Sequence, residues 1–198
     1  MAKKARVYDG TAWQELASAQ TDLTAYSTTA QMNTAITDGV GLVPILTQTI
    51  GTAVSSVTVT DAFSATYDSY KIIITGGVGS TNIILGLSFP TITTGYYYSA
   101  RNLTWAGATA NNVGNNTSSF ARIGYASTAD TQANFELVNP FATKNTFLTG
   151  SYIAGISGGD AAYTAGVLLN ASSISSFTIT LSSGTITGGT IRVYGYKN

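Results

Sequence analysis

From residue 54 onward, apolar positions recur at every second residue. In VSSVTVTDAF, Val57 and Val59 share one parity and the threonines between them take the other, as in a strand with one face buried. KIIITGG, residues 71–77, is a nearly continuous β-branched run that suits a central strand covered on both sides. IILGLSF, ARIGY, NFELV, NTFLTGSYI, AGVLLN, SFTITL and TIRVYGY repeat the theme. Turn formers separate them: GGVGSTN at 76–82, GNNTSS at 114–119, GISGGD at 155–160 and SSGTITGG at 182–189. About nine or ten strands are predicted, and no crossover helix of roughly ten residues can be placed between them. The expected fold is therefore mainly β: an antiparallel β-sandwich over residues 51–198, jelly-roll-like in preference to an immunoglobulin order or a narrow barrel.

The residues before this body follow another pattern. ARVYDGTAWQEL predicts a hairpin within residues 1–18, with Val7 and Tyr8 before the turn, Asp9-Gly10 in it, and Trp13 and Leu16 after it. Residues 19–50 predict a short helix and a linker. Thr28 and Gln31 match a capping box, Met32 and Ile36 stand four apart on one face, and Gly39 ends the run. Such a helix is too short to stand alone, so its Met32/Ile36 stripe either docks on the β-body or self-associates about an axis. Pro44 marks an edge or a linker, with 45–50 leading into the body.

Composition narrows the role. Charged residues make up 9% of 198, nine of each sign, against 44% hydrophobic; soluble domains carry about 25% charge. A surface of hydroxyls, amides and small side chains repels its own copies weakly, which suits an oligomer or lattice. The local cluster Lys3, Lys4, Arg6 is too small for a nucleic-acid groove, so no nucleic-acid partner is expected. No apolar run of about 18 residues is present to insert in a membrane, and the start shows no signal-peptide core. With no Cys and no His, disulfides and the usual zinc spacings are excluded.

No catalytic constellation stands out, and neither a cofactor nor a metal is expected. The serines have no histidine to activate them. GGVGS and GISGGD lack the lysine and following helix of a phosphate loop. Glycoside hydrolysis requires two carboxylates about 5–9.5 Å apart. Asp61 and Asp68 read as turn residues, leaving Glu136 with Asp130 or Asp160 as the pairing a fold could create.

Two aromatic stretches are candidate contact surfaces. In TTGYYYSARNLTW, residues 93–105, Tyr97 must point opposite to Tyr96 and Tyr98, with Arg101 and Trp105 nearby and Asn102, Asn111 and Asn112 offering amides. In the closing GGTIRVYGYKN, Ile191 and Val193 face one way, and Arg192, Tyr194 and Tyr196 the other. Each set fits a subunit seam, a glycan platform or ordinary packing.

RVYDGTAWQELAS followed by AYSTTAQMNTAI resembles the start of tailed-phage fibre and minor virion proteins. VTVTDAFSATYDSYKIIITG with TTGYYYS, and the terminal GTITGGTIRVYGYKN, resemble β-sandwich tip or decoration modules of phage and cyanophage structural proteins. The resemblance implies a noncatalytic virion protein, made in the host cytoplasm and located in the virion. Its amino-terminal part would attach to other virion proteins through Val7, Tyr8, Asp9, Gly10 and Trp13. Its sandwich would project, commonly as a homo-oligomer, a trimer, with Tyr70, Tyr96, Tyr97, Tyr98 and the final strand in the body or its subunit contacts. A helix of about 12 residues spans only about 18 Å, so no long shaft is present. That leaves a tail-fibre tip binding a receptor or a host-surface glycan, a head fibre, a capsid decoration protein and a tail adaptor as the roles implied.

Overall fold

The computed structural model describes residues 6–15 and 41–197, in two units bounded as Met1–Val40 and Gly41–Asn198. In the first, β1 (Arg6–Tyr8) pairs antiparallel with β2 (Trp13–Glu15), Tyr8 opposite Trp13. Asp9-Gly10 is not a two-residue turn: the loop runs from Asp9 to Ala12. The Asp9 carboxylate accepts the amides of Thr11 and Ala12, both at 2.9 Å, and Gly10 takes φ 99°, an Asx-capped loop that only glycine enters freely. Leu16 and the predicted helix with Met32 and Ile36 lie outside the described residues.

The second unit is antiparallel throughout, and among the described residues it holds no helix. Its strands are β3 (Leu42–Thr49), β4 (Ser56–Val59), β5 (Ser69–Thr75), β6 (Val78–Gly79), β7 (Ile83–Ser88), β8 (Tyr96–Thr104) and β9 (Thr109–Thr117). They continue with β10 (Phe120–Ala126), β11 (Thr131–Val138), β12 (Thr146–Ile153), β13 (Asp160–Leu168), β14 (Phe177–Leu181), β15 (Ile186–Thr187) and β16 (Thr190–Tyr196).

The ladder forks at β11. Along one edge, residues 131–133 of β11 pair with β10, and residues 134–138 pair with β12. The first branch runs β10-β7-β14-β4, and the second runs through β12, β13 and β8 to β9. The other edge of β11 carries β5, then β16, then β3. A bulge between Phe120 and Gly124, with Arg122 at φ 59°, interrupts the pairing of β10 with β7.

The first branch faces β5, β11 and β16 across one core. Ile72, Ile74, Phe135, Leu137, Ile191 and Val193 from one side share an apolar cluster with Val59, Leu85, Leu87, Phe120 and Phe177 from the other. Rings on strands that are not neighbours meet there: Tyr96 against Phe120 at 5.0 Å and Phe135 against Phe177 at 6.5 Å. Burying each such side chain contributes about 1.5–3 kcal/mol. Cohesion comes from this packing, since the chain has no cysteine to bridge.

Three features depart from the sequence pattern. Pro44, expected at an edge or in a linker, lies within the edge strand β3, which starts three residues before the 45–50 stretch expected to lead into the body; it sits at the bulge against Tyr194, where a missing amide costs no ladder bond. GNNTSS, expected as a turn, lies mostly within β9, an exposed polar edge with no apolar alternation to reveal it. GGVGSTN and SSGTITGG are turns that pair with each other through β6 and β15.

Candidate interaction face

Strand parity decides which side chains of the second branch face outward, and the pairing register decides which of them meet. On β8, Tyr96, Ala100 and Asn102 are buried while Ser99, Arg101 and Leu103 are exposed. Tyr97 shares the outward parity. Arg101 therefore lies opposite Tyr163 of β13, Tyr163 opposite Ser151 of β12, and Ser151 opposite Asn134 of β11.

A parallel row runs Tyr97, Val167, Phe147, Val138, and another Leu103, Ala161, Ile153. Between them lie Ser99, Ala165 and Thr149, with Val113 of β9 opposite Ser99. Tyr163 is 57% exposed, Ile153 58% and Val113 74%. Exposed apolar side chains thus gather on one sheet face, where a scattered arrangement would be ordinary. Over β9, β8, β13 and β12, Arg101 is the face's one charged side chain among the described residues.

Beyond β12 the same face turns polar. Lys71 Nζ lies 3.1 Å from Glu136 Oε1, and the Tyr196 hydroxyl donates to the same oxygen. The bond from Tyr196 is the main reason the Glu136 carboxyl is held below its ordinary range, with burial opposing and Lys71 assisting. Burial, then the bond to Glu136, pushes the Tyr196 phenol up to about 12. Tyr194 lies opposite Lys71, and Arg192 donates to Thr75 Oγ1 at 3.0 Å. Arg192, Tyr194 and Tyr196 do share one side, as their spacing indicated, but β16 is a central strand and all three are half-buried.

Other candidates lie elsewhere. Tyr96 belongs to the core, not to a surface: it is fully buried, its hydroxyl donating to Ile92 O at 3.1 Å and accepting the Phe89 amide at 2.8 Å. Tyr70 is a core residue too, its hydroxyl bonded to both backbone groups of Ser64. Tyr98 packs half-buried against the same cluster, its ring over Gly114.

Trp105 stands at the end of β8, 53% exposed, its indole donating to Ile156 O at 3.2 Å. Asn102 is buried and donates to Asp160 Oδ2 at 2.7 Å, and Asn112 donates to Asn102. The Asn102 and Asn112 amides are thus engaged internally, Asn111 is exposed on the edge strand β9, and residues 96–105 do not form one platform. Asp160 also lies 3.7 Å from Arg122, and Asp130 accepts the Ser127 hydroxyl. Within the first unit, Tyr8, Asp9 and Gly10 are exposed.

Sequence reading missed Tyr163, Phe147 and Ile153. Phe147 neighbours Leu148 and Ile153 neighbours Tyr152, so parity alone does not say which of each pair turns out. Arg101 did carry a signal: an outward cation fixes Tyr97 outward and Tyr96 and Tyr98 inward. Comparison with protein-family models, curated proteins and solved structures finds no match.

Proposed function

We propose that this chain is a noncatalytic structural subunit of a tailed-phage particle, a β-sandwich that assembles with copies of itself through the outer face of β12, β13 and β8. The observation that carries the reading is the gathering of Tyr97, Leu103, Phe147, Ile153 and Tyr163 on a face with one charge. A second copy suits it: a nearly uncharged surface needs no partner of opposite sign. The three strands by four outward rows span roughly 400 Å² in projection, about half the roughly 800 Å² of accessible surface each partner gives to a stable complex, and Val113 of β9 extends the apolar area beyond β8.

The finer fold belongs to the same proposal. The order β4-β14-β7-β10, facing β5-β11 and β8-β9, matches the two sheets of a jelly roll. The hairpin β12–β13 is then an insertion between β11 and β8, with β16 and β3 added beyond β5. The insertion supplies much of the apolar face, tying the departure from the simple topology to assembly.

The phage assignment is supported by the resemblance of the amino-terminal hairpin and closing strands to virion proteins, and by the low charge. The hairpin then attaches to the particle, and a trimer projects the sandwich. Imaging the particle at side-chain resolution tests this. The expected density holds copies meeting on β12, β13 and β8; a particle without this chain in any density overturns the assignment.

A further inference from the structure

Beside the edge strand β4, the turn after β7 and the segment 170–176 enclose a groove of about 490 Å³, within the size range of small-ligand sites. Every polar residue lining it is a serine, threonine or asparagine, and none is charged. Thr60, Thr91, Ser172 and Ser173 supply hydroxyls and Asn170 an amide nitrogen, while Pro90, Ile92 and Ile174 supply apolar surface; the Thr58 hydroxyl pairs with that of Thr178 at 3.0 Å, and Asn170 Oδ1 accepts the Ser172 amide at 2.9 Å.

The walls are fixed. Ser175 O accepts the amides of Ala62 and Phe63 at 2.8 and 3.1 Å, and Ile174 N donates to Pro140 O at 2.9 Å. The buried Tyr96 hydroxyl holds the opposite wall through Phe89 N and Ile92 O. Such a groove needs little ordering to receive a ligand.

Thr91 gives the second, independent sign. Ile92 N closes a turn onto Phe89 O at 3.2 Å, with Pro90 second and Thr91 third at φ 73°. That third position favours glycine or asparagine, and a β-branched residue there is a genuine outlier. Strain of this kind gathers where a side chain is held for binding, and Thr91 lines the groove.

We propose that this groove binds a neutral saccharide. Hydroxyls and an amide pair with sugar hydroxyls, and Pro90, Ile92 and Ile174 cover the apolar C–H faces of a ring. The absence of cation and carboxylate from the lining gives no purchase to phosphate, uronate or metal ion. The groove shares no lining residue with the apolar face, and the proposal stands independently of the assembly role.

The test is saturation-transfer NMR on the full chain with neutral tetrasaccharides of glucose, galactose, mannose and N-acetylglucosamine, and a hexuronate tetrasaccharide as the charged control. Saturable binding of at least one neutral member, up to about 10 mM, and none of the control, is expected. Thr91→Gly should weaken that binding about tenfold by removing a hydroxyl. The same substitution relieves strain and should raise Tm by about 2–4 °C, so the loss is not unfolding. Ser173→Trp, which fills the groove, should abolish binding. No binding across the neutral panel, equal binding of the hexuronate, or affinity untouched by both substitutions overturns the proposal.

Discussion

Glu136 accepts a hydrogen bond from the Tyr196 hydroxyl and another from Lys71, and both favour its charged form. Its carboxyl therefore titrates below the ordinary 4.5 in the folded chain. The unfolded chain then takes up the proton first as pH falls, so this contribution is full above about pH 4.5 and is lost as pH drops through the folded value. Tyr196 works at the other end. Raised from 10.0 to about 12, it contributes below pH 10, and that contribution is lost between about 10 and 12. Tyr196→Phe removes the larger support of the carboxylate, so the Glu136 titration followed by carbon-13 NMR should move up toward its ordinary value; an unmoved titration contradicts the assigned bond. Tyr96 makes a different prediction. Tyr96→Phe leaves the buried Phe89 amide without its acceptor, which should cost about 1–3 kcal/mol in urea unfolding. An unchanged midpoint would show that the hydroxyl is dispensable.

Elements were legible where alternation is strict. TIRVYGY shows which residues share a side, and β16 places Ile191 and Val193 in the core with Arg192, Tyr194 and Tyr196 opposite. β9 was not legible, because TANNVGNNT is an exposed polar edge whose strand character comes from pairing with β8. The apolar face was illegible for a related reason: Phe147, Tyr163 and Leu103 are far apart in the chain, and only the register of β12, β13 and β8 brings them together. Glycines carry the crossing of two turns. A Cβ on Gly189, at φ 95°, would lie 2.3 Å from Gly76 O. Gly189→Ala should cost roughly 1–3 kcal/mol in backbone strain alone, read as a lowered urea midpoint. On the face itself, Phe147→Lys with Ile153→Lys places charge on two outward positions that touch no core. The pair should dissociate the oligomer and leave the far-ultraviolet circular dichroism unchanged; an intact oligomer would place the interface elsewhere.

At the largest scale, the second unit is an antiparallel β-body whose main core lies between the first branch of the forked ladder and β5, β11 and β16, with a smaller cluster around Tyr152. Its surfaces differ in chemistry: the outer face of the longer branch is apolar over β12, β13 and β8, whereas the groove near β4 is lined by uncharged hydroxyls. The claim on which this picture rests is association through that face, and sedimentation equilibrium of the purified full chain tests it most directly. The account predicts the mass of a trimer that falls to one subunit in the Phe147→Lys, Ile153→Lys variant. A wild-type chain that sediments as a monomer at high concentration would contradict it.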